Sequence, residues 1–517
     1  MVQQPGKTFE ICDEYIAGWL SSFPAARLTP YVGILAVEPS SFVVLEHRDA
    51  AVKQTKTKYW DFPPGNRIRY RSDAEYEEQF LSLLFKAVER RLRSDHPVLC
   101  ELSGGMDSSS IVCVADKILA RGNSDCPQVD TISWFDDTYD DVEPDTNELH
   151  WIEKVEQKRS RTGHHLDFGK INASANRPRE ALSSDFGSKD LPTIPEPIGS
   201  ATAFIKQYAA FLGREHRVTL SGIGGSEFTG GGVPTPVLEL QDLISRAHFL
   251  KFFRQLEAWS LKTQQKKIRI LWRVVRGFLP LNFVPAKDAT SMPWLNPDFA
   301  RGNQTALQGY PVRTRLYAPL ASFQDCISTL DAVRRLLSSC RLRPDLLREA
   351  RFPYLDVELL EFLFAIPREQ IVGVGRRRHL VRRALKHVVP KEILSRRRKR
   401  FLPSDRCRSD SAQILEEFQQ IRTMASCSLG FVDRGRLQQA VQRLELGEQT
   451  HIGALQKILS LEFWLQRLLS AGIIKTTSSL NQGVSGYKTQ IRGGCSSSVT
   501  SEVKRQSTPV SDEISAG

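Results

Sequence analysis

The sequence predicts an α/β protein in which a parallel sheet is followed by a mostly helical C-terminal part, and three observations support this prediction. Between residues 73 and 220, short apolar runs alternate with segments whose apolar residues recur at helical spacing. Two of the apolar runs end in stretches that begin Leu-Ser-Gly, at residues 102–104 and 220–222. Beyond about residue 237, long amphipathic segments replace the alternation. Parallel α/β sheets bind ligands beyond the carboxyl ends of their strands, so the two Leu-Ser-Gly stretches indicate where a site would lie.

Residues 1–72 are predicted to form a separate, short leading segment. After a helical start, two strand-like runs follow at 31–37 and 42–46, then Ala51-Val52 and an aromatic close at 59–65. So short a sheet cannot easily bury a core of its own. We therefore expect it to pack against the following domain or against a partner.

The alternating region predicts the sheet itself. A helix over 74–92 leads into a first strand at Val98-Leu99-Cys100. Further buried strands are predicted at 128–135, 164–168 and 217–220, each after a helical segment. Strands that alternate with helices form a parallel sheet with helices on both faces.

The remaining chain is predicted to be helical and then disordered. Amphipathic helices are expected over 238–261 and 451–469. A basic helix over 268–278 fits a membrane surface or core packing, and its short length before Pro280 favours the core. The Ser-, Thr- and Gly-rich end predicts disorder. The predicted parts are therefore the leading segment 1–72, the main domain 73–475 and the tail 476–517.

Composition restricts the class of protein. The 517 residues are 41% hydrophobic and 25% charged, as in soluble globular proteins. The segment Met1 to Tyr15 lacks a signal-peptide core, and no apolar run is long enough for a bilayer, so a cytoplasmic protein without a membrane partner is expected. Nine cysteines without CxxC spacing fit reduced thiols better than disulfides or zinc.

The positive charge is concentrated in one segment. The net charge is +12, and between Arg376 and Arg400 twelve Lys or Arg residues stand against one acidic residue, Glu392. Such a run is either a solvated face or a polyanion site.

The stretch Leu102 to Ser110, which reads LSGGMDSSS, predicts a phosphate-binding loop between a strand and a helix. Two glycines allow close backbone approach, serines add hydroxyl donors, and the helix start offers unpaired N–H groups. Asp107 would repel a polyphosphate unless a divalent cation lay between them, so Asp107 is a candidate Mg²⁺ ligand. The alternative is an ordinary glycine turn before a helix. No Lys follows the second Gly, so this is not a Walker pattern; it resembles the pyrophosphate loop of ATP pyrophosphatases.

A second glycine cluster, residues 221–232, follows the strand at 217–220. We expect both loops to open on the same edge of the sheet, where Glu227 would share a cation with Asp107. The alternative is a flexible turn.

Together, SGGMDSS and the later SGIGGSEFTGG resemble the synthetase domain of asparagine synthetases and their relatives, the β-lactam synthetases and lasso-peptide macrolactam synthetases. Residues 348–356 resemble the family's EARxPFLD segment, and three further pieces follow its closing motifs at 378–385, 389–394 and 396–401. The resemblance implies an ATP-pyrophosphatase (PP-loop, adenine nucleotide α-hydrolase-like) domain. It also implies that residues 1–72 are a truncated remnant of an N-terminal-nucleophile glutaminase-like domain.

The resemblance also implies roles for individual residues. Glu349 would orient or deprotonate the attacking amine, and Lys399 would act from a loop that closes over ATP. Strict spacing from Phe401 points to Arg398 instead. The implied ATP-binding set is Leu102, Ser103, Gly104, Gly105, Asp107, Ser108, Ser109, Ser133, Gly222, Ile223 and Gly224, with Asp107 and Glu227 as metal ligands and ATP and Mg²⁺ as cofactors.

The implied reaction is AMP-forming amide ligation. A carboxylate attacks the α-phosphorus of ATP, and cations, N–H groups and a lysine stabilise the charge that develops. An amine then captures the acyl-adenylate and loses a proton to a fixed carboxylate.

Three departures from the family pattern bear on this expectation. Ser226 stands where the family has an aspartate that binds Mg²⁺, so Glu227 substitutes, a water bridges, or activity is weakened. Arg378 stands where the family has a lysine. Cys12 lies inside the chain without a free α-amine, so no glutaminase activity is expected of the chain as given.

The sequence leaves several functions open. The resemblance implies either aspartate and ammonia as substrates or a peptide that forms an intramolecular amide. The missing glutaminase nucleophile and the loop at 230–236, which resembles the peptide cyclases, modestly favour the peptide and with it a peptide-delivery protein. A PP-loop tRNA-modifying enzyme is disfavoured, because the basic segment has no interleaved aromatic residues. A binding subunit with weakened catalysis is the third candidate.

Overall fold

The computed structural model describes residues 7–21, 23–48, 51–64, 67–122, 124–135, 147–167, 194–195, 216–279, 292–316, 319–339, 349–396, 414–419, 421, 423–448 and 452–475. The predicted disordered tail 476–517, the role of Lys399 and its alternative Arg398 lie outside these residues.

The predicted parallel sheet is confirmed. Five strands pair in the order β5-β4-β3-β6-β7, and all four pairings are parallel. Their bounds are β3 Val98–Glu101, β4 Val129–Phe135, β5 His164–Asp167, β6 Val218–Leu220 and β7 Glu349–Arg351. The central strand β3 is buried from Val98 to Cys100, as expected of a strand covered on both faces.

The edge strand β7 was not predicted as a strand. It is three residues long and reads Glu-Ala-Arg, so it has neither an apolar run nor alternation. Its pairing with β6, from Val218 opposite Glu349 to Leu220 opposite Arg351, depends on a segment more than a hundred residues earlier in the chain.

The helix before β3 begins where its capping residues require. In α2, Asp73–Arg91, the Ser72 hydroxyl accepts a bond from the Glu75 N–H while the Glu75 carboxylate accepts one from the Ser72 N–H. Its buried face repeats every four residues, at Tyr76, Phe80, Leu84 and Val88. The next two helices are α3 Met106–Leu119 and α4 Leu149–Arg159.

The leading segment contains α1 Asp13–Ser21 and an antiparallel pair, β1 Ser41–Arg48 with β2 Ala51–Lys58. The strand predicted at 31–37 is wrong, because there the chain turns at Gly33, which has φ +79°, and forms only isolated bridges. Helix α1 belongs to a second hydrophobic core that also contains the last described helix. The prediction that the short sheet packs against the following domain is not confirmed, because Leu45 of β1 and Val52 of β2 are 66% and 63% exposed.

The later residues are helical, as predicted, but the helix predicted over 238–261 is two helices. The chain breaks at Ala247, whose φ of 56° is not helical. The described helices after β6 are α5 Gly225–Phe228, α6 Val237–Ser245, α7 Phe249–Thr263, α8 Lys267–Arg276, α9 Pro297–Gly302, α10 Gln304–Leu307, α11 Ala321–Ser339, α12 Val357–Ala365, α13 Arg368–Ile371, α14 His379–Ala384, α15 Lys391–Ser395, α16 Ala425–Ser428, α17 Arg434–Glu445 and α18 Ile452–Ser470.

The basic helix α8 partly confirms the preference for core packing. Ile270 and Val274 are buried, whereas Ile268 and Trp272 are exposed. Within the part of the chain that the structure describes, none of the helices combines the length and apolar character needed to span a bilayer.

Candidate functional site

The first glycine loop joins the carboxyl end of β3 to the start of α3. Gly104 has φ +62°, a conformation that glycine adopts readily, and Gly105 is the N-cap of α3 without a side-chain cap. The first-turn N–H groups of α3 have no partner within the helix. The Ser103 N–H donates to the Ser108 hydroxyl at 3.1 Å, and the two serine hydroxyls lie 3.1 Å apart. The loop therefore presents N–H and hydroxyl donors together, which suits an anion.

A buried arginine supports this loop from behind. Arg396 donates to the Gly104 carbonyl at 3.2 Å and forms two hydrogen bonds with the Glu148 carboxylate, at 2.9 and 3.0 Å. Its guanidinium also lies 4.5 Å from the Trp151 ring centre. A Cβ on Gly104 would lie only 2.5 Å from the Trp151 Cβ. Glycine at this position is therefore required by space as well as by its backbone conformation.

The second glycine loop faces the first, as the sequence predicts. A Cβ added to Gly222 would lie 3.0 Å from the Ser108 nitrogen, and one added to Gly225 would lie 2.4 Å from the Asp107 Cγ. The two backbones approach each other closely because neither position carries a side chain. Gly224 also needs to be glycine, since its φ is +94°.

Asp107 lies between the two loops and is paired with Arg378. Nη1 of Arg378 donates to Oδ1 of Asp107, and Nη2 donates to Oδ2 at 2.7 Å. Ser226 joins them: its hydroxyl accepts from Nη2 at 2.8 Å and donates to Oδ2 at 3.0 Å. Burial alone would lower the pKa of Arg378, but the charge of Asp107 and its hydrogen bonds leave that pKa raised.

These surroundings do not fit the Mg²⁺ that the sequence predicts at Asp107. Both carboxylate oxygens already accept from a guanidinium, and a hydroxyl rather than a second carboxylate completes the group. Glu227, the other predicted ligand, is exposed and accepts from the Gly224 N–H at 3.1 Å. Among the described residues there is no cluster of three or more His, Cys, Asp or Glu side chains suited to a metal.

Several other predicted ATP-binding residues lie beneath the loops rather than on them. The side chains of Leu102, Ser109 and Ser133 are buried, and the hydroxyls of Ser109 and Ser133 have no hydrogen-bond partner. Ile223 is half-buried against the main core. These side chains would support a ligand indirectly.

The structure does not bring Glu349 to the two loops. Glu349 lies at the amino end of β7, opposite Val218, whereas both loops leave the carboxyl ends of their strands. Its carboxylate accepts two bonds from Arg351, both at 2.9 Å, which lower the pKa of Glu349. Further along, the same segment contacts the helix that follows the first loop, where the Tyr354 hydroxyl lies 2.6 Å from the Ser110 hydroxyl. Burial raises the pKa of Tyr354.

Sequence reasoning missed Glu148, Trp151 and Arg396 as parts of the loop support. Arg396 is one of twelve basic residues in its segment, and nothing local distinguishes it from its neighbours. Its role follows only from its contacts with residues about 250 positions away in sequence.

The fold and the facing loops define the class of this protein: a parallel α/β protein with a glycine loop where a strand meets a helix. The sequence profile of one family, described as asparagine synthase, matches residues 79–466. The chain belongs to the asparagine synthase family.

Individual relatives match parts of the chain. The glutamine-hydrolyzing asparagine synthetase 3 of Bacillus subtilis is 25% identical over 321 residues, which are 61% of this chain and 47% of that protein. The putative glutamine-hydrolyzing asparagine synthetase 2 of Methanocaldococcus jannaschii is 32% identical over 34% of this chain and 30% of its own length. The amidase chry2 of Gibberella zeae is 30% identical over 18% of this chain and 14% of its own length. The matched regions therefore span less than half of each of these relatives.

Proposed function

We propose that this chain is an ATP-dependent amide ligase that activates a carboxylate by adenylation. Family membership supports this class of reaction. One observation supports the place of the nucleotide: the start of α3 offers unpaired N–H groups beside the hydroxyls of Ser103 and Ser108, opposite the second glycine loop.

In the proposed first step, a carboxylate oxygen of the substrate attacks the α-phosphorus of ATP, and the bond from that phosphorus to the bridging oxygen breaks. The products are an acyl-adenylate and pyrophosphate. Negative charge develops on the phosphoryl oxygens and on pyrophosphate, where the N–H groups of α3 and the serine hydroxyls would stabilise it. Arg396 would hold the loop in place for this step through the Gly104 carbonyl.

In the proposed second step, an amine nitrogen attacks the acyl carbon, AMP leaves, and the amine proton passes to a base. Glu349 is the proposed base, and Lys399 is proposed to act on the phosphoryl oxygens. For Glu349 this role requires its pair with Arg351 to open or the substrate to reach the amino end of β7.

Isotope exchange between pyrophosphate and ATP separates the two steps. With the correct carboxylate, exchange is expected in wild type and in Glu349→Gln, because exchange needs only the first step. Amide formation should be lost in Glu349→Gln although its exchange is kept. Exchange should fall in Ser103→Ala, which removes a loop donor, by roughly tenfold or more. Absence of exchange with every carboxylate tried, together with no ATP binding, would refute the proposal.

The carboxylate is proposed to be either aspartate or part of a peptide. Growth of an asparagine auxotroph on ammonia with this chain as the source of the enzyme would support aspartate. Exchange driven by a peptide carboxylate and not by aspartate would support the peptide substrate, and with it a peptide-delivery partner. Cys12 is not proposed as a glutaminase nucleophile, since its backbone N–H is bonded to the Pro30 carbonyl and burial raises the pKa of its thiol.

A second candidate function is a nucleotide-binding subunit with weakened catalysis. The pairing of Asp107 with Arg378 favours this candidate, because the guanidinium occupies the carboxylate that would otherwise bind Mg²⁺. ATP binding without exchange for any carboxylate would support this candidate over the ligase.

A further inference from the structure

We propose that the guanidinium of Arg378 takes the cation position of the two-loop site, so that this chain binds the polyphosphate of a nucleotide without a divalent cation on Asp107. The polyphosphate as ligand rests on the proposed function. The exclusion of a metal from Asp107 rests on geometry alone.

The first argument is the hydrogen-bonding of Asp107. Two nitrogens of Arg378 bind its two oxygens, and the Ser226 hydroxyl binds one of them at 3.0 Å. The side chains of Arg378 and Asp107 are only 9% and 15% exposed. A cation at this carboxylate would have to displace a bidentate, largely buried ion pair, which is among the strongest hydrogen-bonded arrangements of side chains.

The second argument is the way that backbone encloses the pair. A Cβ on Gly231 would lie 2.8 Å from Nη2 of Arg378, and a Cβ on Gly225 would lie 2.5 Å from Oδ1 of Asp107. The Arg378 backbone is itself fixed, because its N–H donates to the Gly230 carbonyl at 3.1 Å and its φ of 54° lies in the left-handed region. The backbone therefore fixes the α-carbon of Arg378 and lies close to both members of the ion pair, which leaves little space beside the carboxylate for a hydrated cation.

The third argument is charge. The carboxylate of Asp107 alone would repel a polyphosphate, and a divalent cation is one way to offset it. In this chain the charges of Asp107 and Arg378 cancel, and position 226 adds a hydroxyl without charge. The loop donors around Ser103 therefore face a neutral pair, and no metal is needed to remove the repulsion.

The metal part of the proposal is tested by titrating Mn²⁺ into the full chain without nucleotide. The electron paramagnetic resonance signal of free Mn²⁺ measures how much of the ion remains unbound. Wild type and Asp107→Asn should bind Mn²⁺ equally, within about twofold. Asp116→Asn is the matched control, since Asp116 lies on the same helix and also accepts two hydrogen bonds from one arginine, from Nε and Nη2 of Arg159. A Mn²⁺ site that is lost in Asp107→Asn but kept in Asp116→Asn would overturn the proposal.

Asp107→Asn leaves a buried guanidinium without its partner and is therefore tested beside the double variant Asp107→Asn/Arg378→Gln, which removes both charges. The double variant Ser226→Asp/Arg378→Lys restores conditions for a cation. It adds a second carboxylate beside Asp107 and replaces the two-pronged guanidinium with a single ammonium group. This variant should bind Mn²⁺ at least about tenfold more tightly than wild type. No gain would overturn the claim that the guanidinium and the hydroxyl keep the cation out.

The nucleotide part is tested by calorimetric titration of ATP into wild type in EDTA and in Mg²⁺. The dissociation constants should agree within about threefold. A larger loss in EDTA would overturn this inference and leave the proposed ligase intact. Absence of ATP binding in both solutions would overturn the inference and the proposed function together.

Discussion

Gly225 is the residue on which the separation of the two glycine loops depends. Its α-carbon faces the Asp107 carboxylate so closely that a Cβ would lie 2.4 Å from Cγ. Gly225→Ala should therefore push Asp107 out of its pair with Arg378 and weaken ATP binding by about tenfold or more, with the overall fold retained. Gly232→Ala is the control in the same loop, since its Cβ would meet nothing within 4 Å. Equal ATP affinity of both variants would contradict the geometry described here.

Glu239 on α6 is a buried carboxylic acid with a pKa near neutrality. Burial raises its pKa to about 7, against a partial offset from Trp259, whose indole N–H donates to Oε2 at 3.2 Å. The folded protein therefore keeps a proton on Glu239 at pH values where the unfolded chain, with a pKa of 4.5, has released it. The free energy of unfolding should therefore fall as the pH rises from 4.5 to about 7, and it should stay at the lower level above that pH.

Glu239→Gln removes this pH dependence because the amide is neutral throughout. The variant should melt at nearly the same temperature as wild type at low pH and at a higher temperature above neutrality, by an amount worth at most about 3 kcal/mol. Thermal denaturation at both pH values tests this. An equal difference at the two pH values would show that Glu239 does not titrate as described.

At the scale of elements, the basic segment 376–396 is tied to the first loop by its last described residue. Arg396 follows α15 and forms its ion pair with Glu148 at the start of α4, with side chains 7% and 11% exposed. Removal of one member of a buried pair leaves the other charged and unpaired. Part of the positive charge of this segment is therefore buried in a structural ion pair rather than exposed to solvent.

Arg396→Ala is therefore expected to destabilise the protein by about 3 to 5 kcal/mol, measured by urea unfolding. The double variant Arg396→Ala/Glu148→Ala should be less destabilised than the sum of the two single variants. Arg301→Ala is the control, because Arg301 pairs with Asp298 on the surface and both side chains are about 80% exposed. Additive effects at Arg396 and Glu148 would contradict the pairing.

Local patterns predict the elements of this fold unequally. The helix α2 and the strands β3 to β6 follow from apolar periodicity, since each carries its own pattern. The break at Ala247 and the strand β7 do not, because alanine commonly continues a helix and Glu-Ala-Arg is not an apolar run. At Ala247, which is exposed, backbone closes the helix end, because the His248 N–H donates to the Leu243 carbonyl at 2.9 Å. The strand β7 is set by its backbone pairing with β6.

At the scale of the whole molecule, the first and last described helices share one core. The Phe9 N–H donates to the Ile473 carbonyl at 2.8 Å, and Lys457 on α18 donates to the carbonyls of Trp19 and Leu20 in α1. The start of the leading segment, residues 9–20, is therefore joined to the C-terminal helices by hydrogen bonds as well as by the shared core.

Leu20→Ala should destabilise the protein by roughly 2 to 5 kcal/mol, because Leu20 is fully buried in this shared core. Leu45→Ala, in the antiparallel pair of the same segment, should change stability by less than about 0.5 kcal/mol, since Leu45 is 66% exposed. Urea unfolding of both variants tests whether residues 7–21 contribute to the stability of the main domain. Similar values for the two variants would contradict that conclusion.

The sequence by itself determined the parallel sheet, the place of its first glycine loop and the position of the second loop opposite the first. These features are local: a run of apolar residues, a pair of glycines or a helix start carries its own signal. Only the tertiary structure decided that Arg378 neutralises Asp107, that Arg396 supports Gly104 and that Glu349 lies at the other end of its strand. Each of those facts joins residues far apart in the chain, and the energy of a pairing depends on the distance and burial that folding produces.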